Sequence, residues 1–129
     1  MALGKIKADT LEHSTSGSVD TKFVVEGSAK SWTYITGDGT PAVTDSFNTA
    51  SLTDVNTGEV RSNFTNSMNN DDFCFQAFVQ ENSFFGAIQE LTTSSGRIRT
   101  SSSAVSVSHN LSAGADVDAR SHLVLGDLA

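Results

Sequence analysis

The sequence predicts an all-β protein: an antiparallel, jelly-roll-like β-sandwich with an extended N-terminal arm. Three observations predict it. Ser and Thr supply 33 of 129 residues, beside 10 Gly, 8 Asn and a single Pro. That composition favours turns and pleated surfaces over helices. Apolar and polar residues alternate over short stretches with the period of two that marks a strand. Turn signals separate these stretches, and no helical pattern intervenes, as in a sandwich or jelly roll.

The elements follow in order. Residues 1–27 are expected to form the arm and residues 28–129 the sandwich. Leu3, Ile6, Ala8 and Leu11 are sparse, and Ser14-Thr15-Ser16-Gly17-Ser18 is polar, so this stretch cannot hold a core of its own. Strands are predicted at about 20–26 and 28–36. In the second, Trp32 and Tyr34 alternate with Thr33 and Ile35. Gly37-Asp38-Gly39-Thr40-Pro41 is a turn, since Asp-Gly favours one and Pro cannot sit in a central strand. Residues 42–48 and 49–55 read as extended, and Asn56-Thr57-Gly58 closes a hairpin into 59–65.

Phe73 to Gln80 is the clearest strand: Phe73, Phe75, Ala77 and Val79 share one face, and Cys74, Gln76 and Phe78 the other. After an Asn82-Ser83 turn, strands are predicted at 84–91, 97–101, 104–109 and 117–125. In the last, Val117, Ala119, Leu123 and Leu125 lie opposite Asp118, Arg120 and His122.

Charge and cysteine usage narrow the function. Eight Lys and Arg against 15 Asp and Glu give a net charge of −7. Lys5/Lys7 and Arg97/Arg99 are the local basic clusters, too small for a phosphate backbone, so nucleic acid is not an expected partner. One cysteine, Cys74, makes no internal disulfide, and a reducing compartment at synthesis is expected. The N-terminus has no apolar signal-peptide core. The longest aliphatic or aromatic run, Phe23-Val24-Val25, is far too short to span a membrane.

No catalytic, cofactor or metal residues are assigned. His13, His109 and His122 lack ligand spacing and read as surface or rim residues; His109 and His122 become neighbours if the last two strands pair. Cys74 reads as a small packed hydrophobe. Asp54-Val55-Asn56-Thr57-Gly58-Glu59 lacks the ligands of a calcium loop and reads as a hairpin turn. Asn69-Asn70-Asp71-Asp72 reads as a polar loop. Gly37-Asp38-Gly39 is not followed by the Lys-Ser/Thr of a phosphate loop. Trp32, Tyr34, Phe78, Phe84 and Phe85 exceed what a small two-sheet core needs. Buried core is the reading for most of them, and the remainder would line a subunit interface or a glycan groove. Trp32 and Tyr34, with Ile6, Leu11 and Val24 from the arm, are the candidate interaction residues.

The stretch Ala29-Lys30-Ser31-Trp32-Thr33-Tyr34-Ile35-Thr36 with Gly37 to Val43, then Asp45-Ser46-Phe47-Asn48 and Ser51-Leu52-Thr53-Asp54, carries a resemblance. Thr57 to Val60, Asn63 to Met68 and the lead-in Lys5 to His13 extend it over about residues 4–80. These segments resemble a β-rich module that recurs in tail-fibre, appendage and other virion proteins of marine, cyanophage-like bacteriophages. The resemblance implies a trimeric β-sandwich module; it does not imply enzymatic activity, and none is expected. Long fibres carry a shaft, which this chain lacks, so a small subunit is expected. The expected role is a virion structural protein: a small trimeric tail-fibre or appendage subunit, held to a virion partner by its arm and able to contact the host surface. A capsid decoration (cement) protein and a carbohydrate-binding module are the alternatives. The expected partners are further copies of itself, other virion proteins and a host-surface glycan. The expected location is the virion, after synthesis in the host cytoplasm.

Overall fold

The computed structural model describes residues 4, 7–37, 39–80, 87–90, 99–110, 113–126 and 128. Two antiparallel sheets pack together. One is four-stranded, with β3 (Ala29–Thr36), β4 (Ala42–Phe47), β7 (Cys74–Gln80) and β11 (Ala119–Leu125) in the order β4-β3-β11-β7. The other holds β5 (Thr49–Asn56), β6 (Glu59–Phe64), β8 (Ala87–Glu90), β9 (Ser103–Asn110) and β10 (Ala113–Gly114), in the order β10-β9-β6-β5 with β8 also on β9. A separate hairpin, β1 (Thr10–His13) with β2 (Gly17–Asp20), leads into a short helix, α1 (Thr21–Gly27).

That helix corrects the strand expected at 20–26. Phe23-Val24-Val25 favours a strand by residue type, but a strand needs a ladder partner for its backbone, whereas a helical turn satisfies its backbone internally. Thr21 fixes the entry: its N–H donates to Asp9 O (2.9 Å) and its hydroxyl to Ala8 O (2.6 Å). No residue of the helix is buried. The strand expected at 97–101 is also replaced in its described part. Thr100 and Ser103 bond each other across a tight turn that opens β9, and residues 97 and 98 lie outside the described residues. The Asn82-Ser83 turn, Phe84 and Phe85 lie outside them too.

The chain crosses between sheets at Asn48, which joins β4 to β5 with a φ of 57°. Asn tolerates that left-handed conformation better than most residues. Its side chain clasps the corner: Nδ2 donates to Lys30 O (2.9 Å) and Asn66 O (3.0 Å), and Oδ1 accepts from the Asn66 N–H (2.7 Å). The expected β5–β6 hairpin forms at Thr57-Gly58. Gly58 has a φ of +74°, and a Cβ there would lie 2.6 Å from Ser108 O and from Ala115 N and O, so only glycine fits.

The interior has two ends. At one, Phe64, Met68, Phe73, Ala104 and Val124 form an apolar cluster with Phe75 packed on it. Phe64 and Phe73 meet edge to face, centroids 5.8 Å apart. At the other end the sheets meet through hydrogen bonds beside the buried Ile35 and Val60.

Candidate interaction surface

The register of the four-stranded sheet decides which side chains share a face, because directly opposed residues point the same way. Trp32 lies between Phe47 and Leu123, and Leu123 next opposes Gln76. Tyr34 lies between Asp45 and Ser121, and Ser121 next opposes Phe78. These two rows form the outer face. Trp32 and Tyr34 are each 37% exposed, Phe47 51% and Phe78 65%. The expectation that most of these aromatics are core is therefore corrected for Trp32, Tyr34 and Phe78.

The inner face of the same sheet carries Ser31, Thr33 and Ile35 from β3 and Arg120, His122 and Val124 from β11, all buried. This corrects the surface or rim reading of His122. The His122 ring sits across the sheet gap, with Nδ1 2.8 Å from Ser62 Oγ on β6 and Nε2 2.6 Å from Ser106 Oγ on β9. Neutral imidazole has one donor and one acceptor nitrogen, and a hydroxyl can play either role, so both nitrogens are satisfied. Phe75 meets the ring edge to face at 5.1 Å. Burial, with the Arg120 cation adding to it, pushes the His122 imidazole down to about 3. Ser62, Ser106 and His122 are at most 3% exposed. The serine–histidine contact is thus closed to a substrate and acts as a bolt between sheets. Nearby, Thr33 and Thr49 hydroxyls bond at 2.5 Å.

Arg120 holds the hydrogen-bonded end together. Its Nη1 donates to Gly58 O (3.0 Å) and Nη2 to Ser108 Oγ (3.3 Å), while the Gly58 N–H donates to Asp116 Oδ1 (2.8 Å). Burial lowers the guanidinium from its ordinary value, opposed by Asp116 and Asp54.

His109 and His122 are not neighbours through strand pairing: β11 pairs with β3 and β7, and β9 with β6, β8 and β10. His13 is exposed, and its Nδ1 accepts from the Thr15 N–H at 3.3 Å. Cys74 is exposed rather than packed, because it falls on the outer face of β7, paired with Leu125. Asn69 to Asp72 form an exposed loop in which the Asp72 N–H donates to Asn70 Oδ1 (2.9 Å). Among the described residues, no three His, Cys, Asp or Glu side chains converge as a metal site. No helix among them is long and apolar enough to cross a membrane.

Leu11 and Val24 line a shallow groove with Lys7 and Val25, at the junction of the hairpin and helix. The candidate residues therefore fall into two places, Leu11 and Val24 in one, Trp32 and Tyr34 in the other; Ile6 lies outside the described residues. Sequence reasoning missed Phe47 and Leu123, which strand pairing brings beside Trp32. For Phe78 the one polar signal was Gln76 on the same face, outweighed by Cys74, which reads as a packed hydrophobe.

Comparison of the chain with protein-family models, curated proteins and solved structures returns no match.

Proposed function

We propose that the chain is a structural subunit of a bacteriophage particle, of the small tail-fibre or appendage type, in which three copies associate through the outer face of the four-stranded sheet. On this reading the sandwich is jelly-roll-like, residues 1–27 are the arm that ties each subunit to its neighbours in the particle, and the exposed surface of the assembly is open to the host.

One observation carries the reading. The sheet's outer face is aromatic, while its inner face holds Ser31, Thr33, Arg120 and His122. Burial of apolar area is the main favourable term in association, and an uncovered aromatic face withholds it. A second copy that covers Trp32, Tyr34, Phe47 and Phe78 recovers it. The charge pattern supports a protein partner over a phosphate backbone: of the described basic residues of the sandwich, Lys30 and Arg120 are buried and Arg61 and Arg99 half-buried. The resemblance of residues 4–80 to the phage module supplies the context of a particle.

Light scattering tests it. The expected mass is that of three 13.6 kDa chains. Trp32→Ala combined with Phe47→Ser is expected to give one chain with an unchanged β-type circular dichroism spectrum. A wild type that stays at the mass of one chain at every concentration overturns the reading.

A further inference from the structure

We propose that the outer aromatic face receives the N-terminal hairpin and helix of a second copy of this chain. This rests on the assembly reading above and names the occupant of its surface.

Among the described residues two apolar surfaces are exposed, one of each per copy. The first is the outer face, where Trp32, Tyr34, Phe47 and Phe78 leave uncovered roughly 400 Å², at about 200 Å² for a whole aromatic side chain. That is the size of the largest apolar patch on an ordinary monomer, often a functional one, and about half of one partner's share of a standard interface. The second is the N-terminal segment, where Leu11 is 48% exposed, Phe23 58%, Val24 42% and Val25 58%. Strand pairing joins the hairpin to neither sheet. The joint to the sandwich is held by the buried Lys30, whose ammonium donates to Val25 O, Ser28 O (2.9 Å) and Ser28 Oγ (2.7 Å). With that joint made, the segment leaves its own outer face uncovered.

Charge selects between occupants. Among the described residues, Lys7 and Lys22 are the exposed cations, and both belong to the N-terminal segment. The sandwich exposes carboxylates instead: Asp45, Asp54, Asp71, Asp72 and Asp118. At the helix the segment offers a cation, Lys22. Lys22 lies over the Phe23 ring at 4.9 Å, so cation and aromatic ring are presented together, as Asp45 and Tyr34 are on the sheet. The complementarity is local to these groups, since Asp9, Glu12, Asp20 and Glu26 lie in the same segment. The contact is also heterologous: one copy gives its segment and receives another's on a different surface. Heterologous contacts that close form rings, which is how three copies would associate.

The exposed native thiol provides the test. Cys74 is the chain's one cysteine and lies on the outer face. Glu26→Cys adds a second, exposed thiol to the helix and leaves its apolar residues in place. A short bis-maleimide applied to the full chain is expected to give linked products of two and three chains. These should be absent from the wild type and from Glu26→Cys/Cys74→Ser. Adding Lys7→Glu and Lys22→Glu should lower their yield about five-fold, the scale of one or two exposed ion pairs. If the wild type associates but Glu26→Cys gives no product beyond these controls, the occupant is wrong and the assembly reading stands. A wild type linked mainly through Cys74 to Cys74 sets two sheet faces together and overturns the proposal, as does a link within one chain. A wild type of one-chain mass overturns both readings.

Discussion

The two faces of the four-stranded sheet reverse the usual allocation. On β3 the inward positions hold Ser31, Thr33 and Ile35, and the outward ones Trp32 and Tyr34. On β11 the inward positions hold Arg120, His122 and Val124, and Leu123 stands outward beside Trp32. The inner face is therefore held in large part by directed contacts, and the outer face carries the larger apolar surface. The two should fail differently. A hydrogen-bonded interior loses stability when one partner is removed, because the groups left behind are buried and unsatisfied. An exposed aromatic loses association and little else.

The largest effect is expected on the inner face. Arg120→Ala removes one partner each from Gly58 O and Ser108 Oγ, which keep others in the Ser108 N–H, the Ser108–Gly58 contact and Ala115 O. It also opens a cavity where the guanidinium packed, at a cost of about 3 kcal/mol. Urea denaturation measures it, and a change under ~1 kcal/mol would mean that the hydrogen-bonded end is not holding the sheets.

Comparable at about pH 4, and larger below it, is the pH dependence of His122. In the unfolded chain an imidazole titrates near 6.5, while in the folded chain burial holds it at about 3. Between these values the unfolded state binds a proton that the native state does not. Stability from this group is therefore complete above pH 6.5 and falls with decreasing pH, by about 1.4 kcal/mol per pH unit, levelling off near pH 3. His122→Gln keeps hydrogen-bonding groups between Ser62 and Ser106 but does not titrate. The difference between wild type and variant across pH 7.5 to 4 isolates the term, and parallel profiles would refute it.

On the outer face Trp32→Ala should change monomer stability by less than about 1 kcal/mol while abolishing association. A loss of several kcal/mol would show instead that Trp32 packs within its own subunit, and would erase the contrast between faces. The smallest effect belongs to Cys74→Ser, expected within about 0.5 kcal/mol of wild type, because the thiol is exposed.

Much of the fold was legible in the sequence. The alternation in Phe73 to Gln80 grouped the residues of β7 by face, though not which face is covered, and Asn56-Thr57-Gly58 located a hairpin, because both signals are local. The faces of β3 were not legible. Alternation states that Trp32 and Tyr34 share a side, but whether that side is covered depends on what lies across the gap: Thr49 for Thr33, Ser62 and Ser106 for His122. Small polar side chains inside look like solvent positions until their partners are known. A shift of pairing by one residue would exchange the faces entirely. The site was legible only in part for the same reason. Trp32 and Tyr34 declare themselves on one strand, but Phe47 joins through a pairing that spans 15 positions of sequence and Phe78 only by way of Ser121, 43 positions on.

The place of β11 has a consequence for how the protein is made. It is the latest strand of the sandwich to leave the ribosome, yet it lies between β3 and β7, which share no ladder. Until it arrives, both strands present open edges, and the serines that will grip His122 have nothing to grip. Closure of the sheet thus waits for synthesis to pass Leu125, and the nascent chain spends that interval as a sticky intermediate. Slow, non-local pairing of this kind lengthens the time those edges are open to other chains.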